Sequence, residues 1–208
     1  MAIYKDGLLG PYRGKIGPVV GSNWRNIDVS RSLPRKTNTP ASEKQLAQRL
    51  KFKLAIDFLL GIKDVIKINS KGNAATSKTD LNAATKIIIN KMEGVYPDFK
   101  IPYPEAVFSK GSLMNILPVV TLPDTETINI SWSPRLGLGA SEHDVVNVIL
   151  YIESTESFLL YDTAKRKDAS FSYHVEEVGV GLIHIWTFVS TADGTDRSDS
   201  KYCGNATF

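Results

Sequence analysis

The 208-residue sequence contains one cysteine, three histidines and no long apolar run. The single Cys203 excludes an intramolecular disulfide, so folding requires no oxidising compartment. No window approaches the roughly 18 apolar residues of a membrane-spanning helix, and the N-terminus lacks the apolar segment of a secretory signal peptide. We therefore expect synthesis in the cytoplasm, with a particle or an extracellular filament as the final location.

Residues that build catalytic or metal sites are also scarce. The histidines are His143, His174 and His184, and none has a partner at ligand spacing. We interpret His184 as a packed histidine in a strand and Cys203 as a buried thiol. The glycine-rich run at 7–17 lacks the Gly-Lys-Ser/Thr ending of a phosphate-binding loop. No set of nucleophile, base and orienting group can be assembled, so we predict a non-enzymatic protein without cofactor or small-molecule substrate. A calcium site in the acidic turn Asp193–Asp199 stays open as an alternative.

The net charge of +3 is unevenly distributed along the chain. Residues 1–111 hold 19 Lys and Arg against nine Asp and Glu, a balance of +10, whereas residues 112–208 hold six against 13, a balance of −7. Such halves attract each other, attract a neighbouring copy head to tail, or present the basic half to a polyanion. The candidate polyanion contacts are Arg25, Arg31, Arg35 and Lys36.

The stretch Gly7–Pro40 holds five of the 15 glycines and four prolines, yet it carries apolar side chains that an inert linker would not need. We predict an ordered, largely extended arm that contacts a neighbouring subunit. The alternation of residues places Trp24, Ile27, Val29 and Arg31 on one side of a strand. The candidate subunit contacts in the arm are Tyr12, Ile16, Val19, Val20, Trp24, Ile27 and Val29.

Two helices follow the arm. Thr39 and Pro40 form a helix-start signature, which predicts a helix from residue 40 to residue 60 that is capped by Gly61. Its predicted buried stripe, spaced by four residues, consists of Leu46, Leu50, Leu54 and Phe58. A second helix is predicted over 80–92. Residues 65–68 form either a short strand or the end of the helical region, and a strand interrupted at Gly111 is predicted over 107–117.

From residue 117 onward, short strand-like runs recur with turn signals between them, which predicts a seven-stranded β-sandwich. The predicted strands are 119–122, 127–133, 144–152, 157–162, 169–175, 181–191 and 201–207. The chain is therefore predicted to be an α+β protein with an arm and helical region at 1–116 and a sandwich at 117–208. The runs TINISWSP and VVNVILYI resemble strands of a fibronectin type III or related immunoglobulin-like module, although the usual tyrosine before the sixth strand is missing.

The sixth predicted strand is apolar on both of its faces over residues 182–189. A free-standing sandwich exposes one face of each sheet and alternates cleanly between apolar and polar residues. We therefore expect the outer face of this sheet to be covered by the N-terminal half or by another subunit. Three residues of this strand are further candidate subunit contacts: His184, Trp186 and Phe188.

The motif GPYRGKIGPVVGS-x-W at 10–24, followed by TPASEKQLAQRLKF at 39–52, resembles a family of uncharacterised bacterial proteins, a domain of unknown function. The segments GVYPDFKIPY at 94–103 and SKGSL at 109–113 extend the resemblance over about the first 115 residues and into the sandwich. The resemblance implies no activity. The opening of the first helix also resembles segments of phage-like particle proteins.

We weigh three functions from the sequence. The first is a self-assembling structural subunit of a filament or of a phage- or tail-like particle. The second is nucleic-acid binding by the basic half. The third is an adhesion or carbohydrate-binding module on the sandwich, for which the candidate residues are Tyr151, Trp186 and Tyr202. The absence of assembled chemistry favours the first.

Overall fold

The computed structural model describes residues 2–3, 10, 12–24, 26–34, 39–68, 79–122, 126–137, 139–175 and 181–208. Three of the candidate polyanion contacts, Arg25, Arg35 and Lys36, lie outside the described residues. The chain divides into two compact units, residues 1–42 and residues 43–208. The boundary expected between residues 116 and 117 therefore falls inside the second unit.

The first unit is a four-stranded antiparallel sheet with the strand order β1-β4-β3-β2. Its strands are β1 (Ala2–Ile3), β2 (Gly14–Ile16), β3 (Val19–Trp24) and β4 (Ile27–Ser32). Gly17, between β2 and β3, has φ 56°, and Asn26, between β3 and β4, has φ 62°. Glycine and asparagine are the residues that most readily adopt this left-handed conformation in tight turns. The stretch predicted as an extended arm therefore folds back on itself twice.

The second unit begins with a helical segment and a small hairpin. Its elements are α1 (Glu43–Leu60), α2 (Asp80–Lys91), β5 (Glu93–Val95), β6 (Asp98–Lys100) and a 3₁₀ turn at Tyr103–Glu105. Helix α2 confirms the second predicted helix, and the side chain of Thr79 caps it by accepting a hydrogen bond from the Asn82 amide at 3.2 Å. Helix α1 begins at Glu43, three residues after the predicted start at Pro40.

Two sequence predictions around these helices are wrong in detail. The strand predicted over 107–117, and the strand that was one of two alternatives for 65–68, reduce to one isolated parallel bridge between Lys67 and Ser109. Gly61 follows the last residue of α1 as predicted, but it does not adopt the left-handed conformation of a glycine cap. A Cβ atom at Gly61 would lie 2.9 Å from the Phe158 ring. The glycine is therefore explained by the close approach of the helix end to the sheet.

The remaining chain forms two antiparallel sheets, and all seven predicted strands are present. The strands are β7 (Val119–Thr121), β8 (Thr127–Ser131), β9 (Val145–Ile152), β10 (Ser157–Lys165), β11 (Ser170–His174), β12 (Leu182–Ser190) and β13 (Lys201–Thr207). The first sheet has the order β10-β9-β12-β13 and the second the order β11-β8-β7. With the two α-helices of its described residues, the chain is an α+β protein.

The central strands β9 and β12 of the four-stranded sheet in this unit are buried on both faces. On one face, side chains of β9 and β12 form an apolar cluster with side chains of β8 in the three-stranded sheet. The cluster includes Ile183 and Ile185 of β12 and Ile130 of β8. On the other face, Tyr151 and Trp186 pack with α1, α2 and the segment around Phe108. The expectation that the outer face is covered is confirmed, and the cover comes from residues 43–116 of the same chain.

Only the second half of α1 contributes to this cover. The buried residues of the helix are Ala55, Phe58 and Leu59, whereas Leu46, predicted to face inward, is 38% exposed. The predicted stripe is therefore wrong at its N-terminal end. The spacing of leucines marks one side of a helix, but it does not show how far along that side the sheet extends.

We predict that Phe58→Ala lowers the free energy of unfolding by about 3–5 kcal/mol, the usual range for removing a buried aromatic side chain. The Phe58 ring is 5% exposed and lies 5.0 Å from the Tyr151 ring and 5.1 Å from the Phe158 ring, centroid to centroid. Phe52→Ala, on the same helix at 52% exposure, is the matched control, with an expected loss below about 1 kcal/mol. Urea unfolding measures both, and equal losses would contradict the packing described for α1.

Candidate interaction surfaces

The cross-strand register of the N-terminal sheet places its apolar residues on defined faces. Trp24 pairs with Ile27 and Val20 pairs with Arg31. Paired residues of antiparallel strands point to the same side, as do alternate residues along one strand. Trp24, Ile27, Val29 and Arg31 thus share one side of the sheet, but not one strand as predicted, because Trp24 lies on β3 and the other three lie on β4. We call this surface the Trp24 face; its members are Lys15, Val20, Ser22, Trp24, Ile27, Val29 and Arg31.

The opposite face of the same sheet is more polar. Tyr12 lies over Gly21, where any larger residue would collide with it, and its hydroxyl is 2.9 Å from the Ser30 hydroxyl. Asn23 donates a hydrogen bond to Asp28 at 2.8 Å on this side. The predicted contact residues are therefore split: Val20, Trp24, Ile27 and Val29 lie on the Trp24 face, and Tyr12, Ile16 and Val19 lie on the other.

The first unit has very little core of its own. Among its described residues, Val29 is the only large apolar side chain less than one-tenth exposed. Trp24 is 46% exposed and Ile16 is 49% exposed. Small sheets need an apolar face packed against another element for independent stability. The Trp24 face is therefore an apolar surface with a basic border whose further burial would stabilise the unit.

The three candidate contacts on β12 lie beneath the helical segment and not at the surface. Trp186 and Phe188 are almost fully buried, and the Trp186 ring meets the Phe108 ring edge-on at 5.2 Å. His184 stacks on the Tyr103 ring with centroids 4.0 Å apart. Their contacts are therefore with the chain's own helical segment, which is the alternative that the sequence left open for this face.

His184 is held as a packed histidine, as predicted from the sequence. Its Nδ1 atom lies 2.9 Å from the Tyr202 hydroxyl, and the residue is 4% exposed. Within the described part of the chain, its Nε2 atom has no hydrogen-bond partner, and neither has the indole nitrogen of Trp186. Burial lowers the pKa of His184 because the charged imidazolium is poorly solvated there, while Glu153 opposes this shift.

The aromatic residues considered for carbohydrate binding are also part of the core. Tyr151 is 5% exposed, and the rings of Trp186 and Tyr202 lie 5.3 Å apart in an edge-on contact. A carbohydrate-binding groove needs aromatic faces that a sugar ring can reach. The covering helical segment removes Tyr151 and Trp186 from that role, so these residues are packing residues.

The acidic turn at Asp193–Asp199 uses its carboxylates within the chain. Asp193 accepts hydrogen bonds from the Thr191 hydroxyl at 2.6 Å and from the Thr195 amide at 3.1 Å, which lowers the pKa of Asp193 to about 2. Asp196 accepts from the Ser112 hydroxyl at 2.7 Å. Among the described residues, no group of three His, Cys, Asp or Glu side chains is arranged to hold a metal ion. The turn therefore anchors the loop around residue 112.

A cleft of about 730 Å³ opens beside the hairpin β5–β6, and sequence reasoning missed it. Its walls combine apolar residues with three carboxylates: Leu54, Glu93, Phe99, Lys100, Ile101, Pro102, Tyr103, Pro104, Glu105 and Glu153. We call it the Tyr103 cleft. Tyr103 donates a hydrogen bond to Glu153 at 3.3 Å. The signal in the sequence is a proline-interrupted run with many apolar and aromatic residues, at 94–104, that fits neither a helix nor a strand.

The profile of a protein family described as "Family of unknown function (DUF6266)" matches residues 11–204, so the chain belongs to this family. The match spans most of the N-terminal sheet and nearly all of the second unit. No curated protein and no solved structure matches the chain. None of the helices in the described ranges is long and apolar enough to cross a membrane.

We predict that acidification from pH 7.5 to 5.5 destabilises the protein partly through His184. A histidine with a lowered pKa in the folded state contributes stability that is complete above the unfolded pKa near 6.5. This contribution is lost as the pH falls from there through the folded pKa, because the unfolded chain binds the proton first. The expected share is up to about 1 kcal/mol, measured by urea unfolding at both pH values.

The matched variants for this test are His184→Gln and His174→Gln. His174 lies on β11 with its side chain 65% exposed and 3.9 Å from the Glu126 carboxylate. Exposed ion pairs contribute little to stability, so its replacement should leave the pH dependence close to that of wild type. His184→Gln should reduce the loss of unfolding free energy between pH 7.5 and pH 5.5. If the His184 variant keeps the full pH dependence, burial of this imidazole does not contribute to it.

Proposed function

We propose that the chain is a non-enzymatic structural subunit that assembles with copies of itself, in a filament or in a phage- or tail-like particle. In this assembly, the N-terminal sheet contacts the neighbouring subunit. The observation that carries the proposal is the Trp24 face, on which a half-exposed tryptophan lies among apolar residues in a unit whose described residues include almost no buried core.

The composition of the Trp24 face suits a protein–protein contact. Trp and Arg are the residue types most enriched among interface hot spots, and here Trp24 and Arg31 share one face of a sheet. Fully burying a large apolar side chain contributes about 1.5–3 kcal/mol. A contact that covers Val20, Trp24 and Ile27 together would therefore contribute several times the thermal energy.

A further part of the proposal is that the two sheets form a fibronectin type III-like or immunoglobulin-like sandwich. The first, second and fifth of the seven strands form one sheet, and the other four form the second sheet. This order and the shared apolar cluster between the sheets support the assignment. Sandwiches of this kind present surfaces and loops on a rigid frame, which agrees with a subunit but does not by itself specify a function.

We predict that Trp24→Ser abolishes or strongly weakens self-association of the full chain, because it removes the largest exposed apolar group from the Trp24 face. Ile16→Ser is the matched control, since Ile16 has nearly the same exposure but lies on the opposite face. Light scattering after size-exclusion chromatography and negative-stain microscopy measure assembly. A wild-type chain that stays monomeric at high concentration would refute the proposal, as would a Trp24→Ser variant that assembles normally.

Nucleic-acid binding is the second candidate, favoured by the basic half and by one specific placement. Arg31 and Lys15 lie beside Val20, on the same face as the half-exposed Trp24, and a face that combines cations with an exposed aromatic ring is typical of single-strand binding surfaces. On this alternative, the protein would retard single-stranded DNA or RNA near 50 mM salt, and Lys15→Glu with Arg31→Glu would remove the retardation. An absence of retardation at low salt excludes it.

A further inference from the structure

We infer that the Tyr103 cleft of one copy receives the Trp24 face of the next copy, so that subunits join head to tail. This inference rests on the proposed self-assembly and adds the surface that each subunit offers to its neighbour. It requires two different surfaces on one chain that complement each other in shape, in apolar character and in charge.

The apolar character of the two surfaces is complementary. The Tyr103 cleft is walled by Leu54, Phe99 and Ile101 together with the prolines on either side of Tyr103. Its volume of about 730 Å³ accommodates an indole ring and a neighbouring aliphatic side chain. The Trp24 face projects such a pair, because Trp24 and Ile27 lie directly opposite each other on β3 and β4.

The charges of the two surfaces are also complementary. Three carboxylates, Glu93, Glu105 and Glu153, line the cleft together with the ammonium of Lys100. Glu105 also forms an exposed salt bridge with Lys91 at 3.5 Å, so the three carboxylates exceed the two ammonium groups near them. The Trp24 face carries Lys15 and Arg31 and, among its described residues, no acidic side chain. Opposite potentials across an interface steer association and select the partner.

The same charges exclude the symmetric pairings. Two Trp24 faces brought together would oppose four cationic side chains, and two Tyr103 clefts would oppose an excess of carboxylates. Like charges across an interface cost several kcal/mol. The contact is therefore heterologous, and a heterologous contact whose rotation does not close into a ring continues as an open chain.

A second cleft beside the hairpin β5–β6 shares Phe99 with the Tyr103 cleft but fits the Trp24 face less well. It lies against the first half of α1 and is lined by Lys44 and Lys51, with Glu43 as its only acidic side chain. The Lys51 ammonium already lies 4.6 Å from the centre of the Phe99 ring. A basic lining repels Lys15 and Arg31, so charge assigns the Trp24 face to the Tyr103 cleft.

Two charge-reversed variants of the full chain test the inference. The face variant carries Lys15→Glu and Arg31→Glu, and the cleft variant carries Glu93→Lys and Glu105→Lys. All four residues are exposed, so circular dichroism and urea unfolding should show an intact fold. The control variant carries Glu142→Lys and Asp162→Lys, two exposed positions that reverse the same charge outside the cleft.

Sedimentation velocity of each variant alone and of the equimolar mixture is the measurement. We expect the face variant and the cleft variant each to assemble at least about tenfold more weakly than wild type, and the control to assemble like wild type. Mixing the two impaired variants should restore assembly at a 1:1 composition. In the mixture, each reversed face meets a reversed cleft, and each native cleft meets a native face.

The outcomes separate this inference from the proposed function. A wild-type chain that never assembles overturns both. Wild-type assembly that Trp24→Ser blocks but the cleft variant leaves intact keeps the proposed function and overturns the cleft assignment. Two impaired variants whose mixture stays unassembled also overturn it, because an effect within one chain cannot be complemented by a second chain.

Discussion

The fold of the second unit depends on one constraint: the central strands β9 and β12 are apolar on both faces. A strand of this kind cannot face water on either side, because each exposed apolar square ångström costs about 25 cal/mol. The three-stranded sheet covers one face, and the helical segment covers the other. The aromatic rings around Phe58 and Trp186 are the contact between helix and sheet, and they fix where α1, α2 and the loop at Phe108 must lie. The helical segment is therefore part of the sheet's core.

Much of this unit follows from local sequence patterns. The strands β7 to β13 are short, bounded by turn residues and regular in their alternation, so their positions can be predicted within a few residues. The requirement for a cover over β12 also follows, because the pattern Leu182 to Val189 has no polar face. The identity of the cover does not follow from the pattern. An apolar pattern on both faces indicates only that each face packs against an apolar partner. Both a helical segment of the same chain and a second subunit meet that condition.

The N-terminal sheet and the Tyr103 cleft are two features that local sequence patterns do not predict. Glycines at 14, 17 and 21 permit an extended arm as well as tight turns, and the choice depends on the pairing of β2 with β3 and of β3 with β4, which is a non-local interaction. The alternation within β4 is local and could be predicted correctly. The cleft is built by an irregular proline-interrupted segment and by Glu153 from a distant turn. No periodicity joins these residues, so only the tertiary structure brings them together.

The two units differ in how completely they cover their own apolar surface. In the second unit, the central strands are apolar on both faces. The three-stranded sheet covers only one of these faces, and the helices cover the other. The first unit has an apolar face and, in its described residues, almost nothing to bury it with. A polypeptide that retains such a face gains from association in proportion to the area covered, and a basic border restricts the partner to an acidic surface. In the head-to-tail contact that we propose, the carboxylates of the Tyr103 cleft supply that surface, so each copy carries both members of a directional contact.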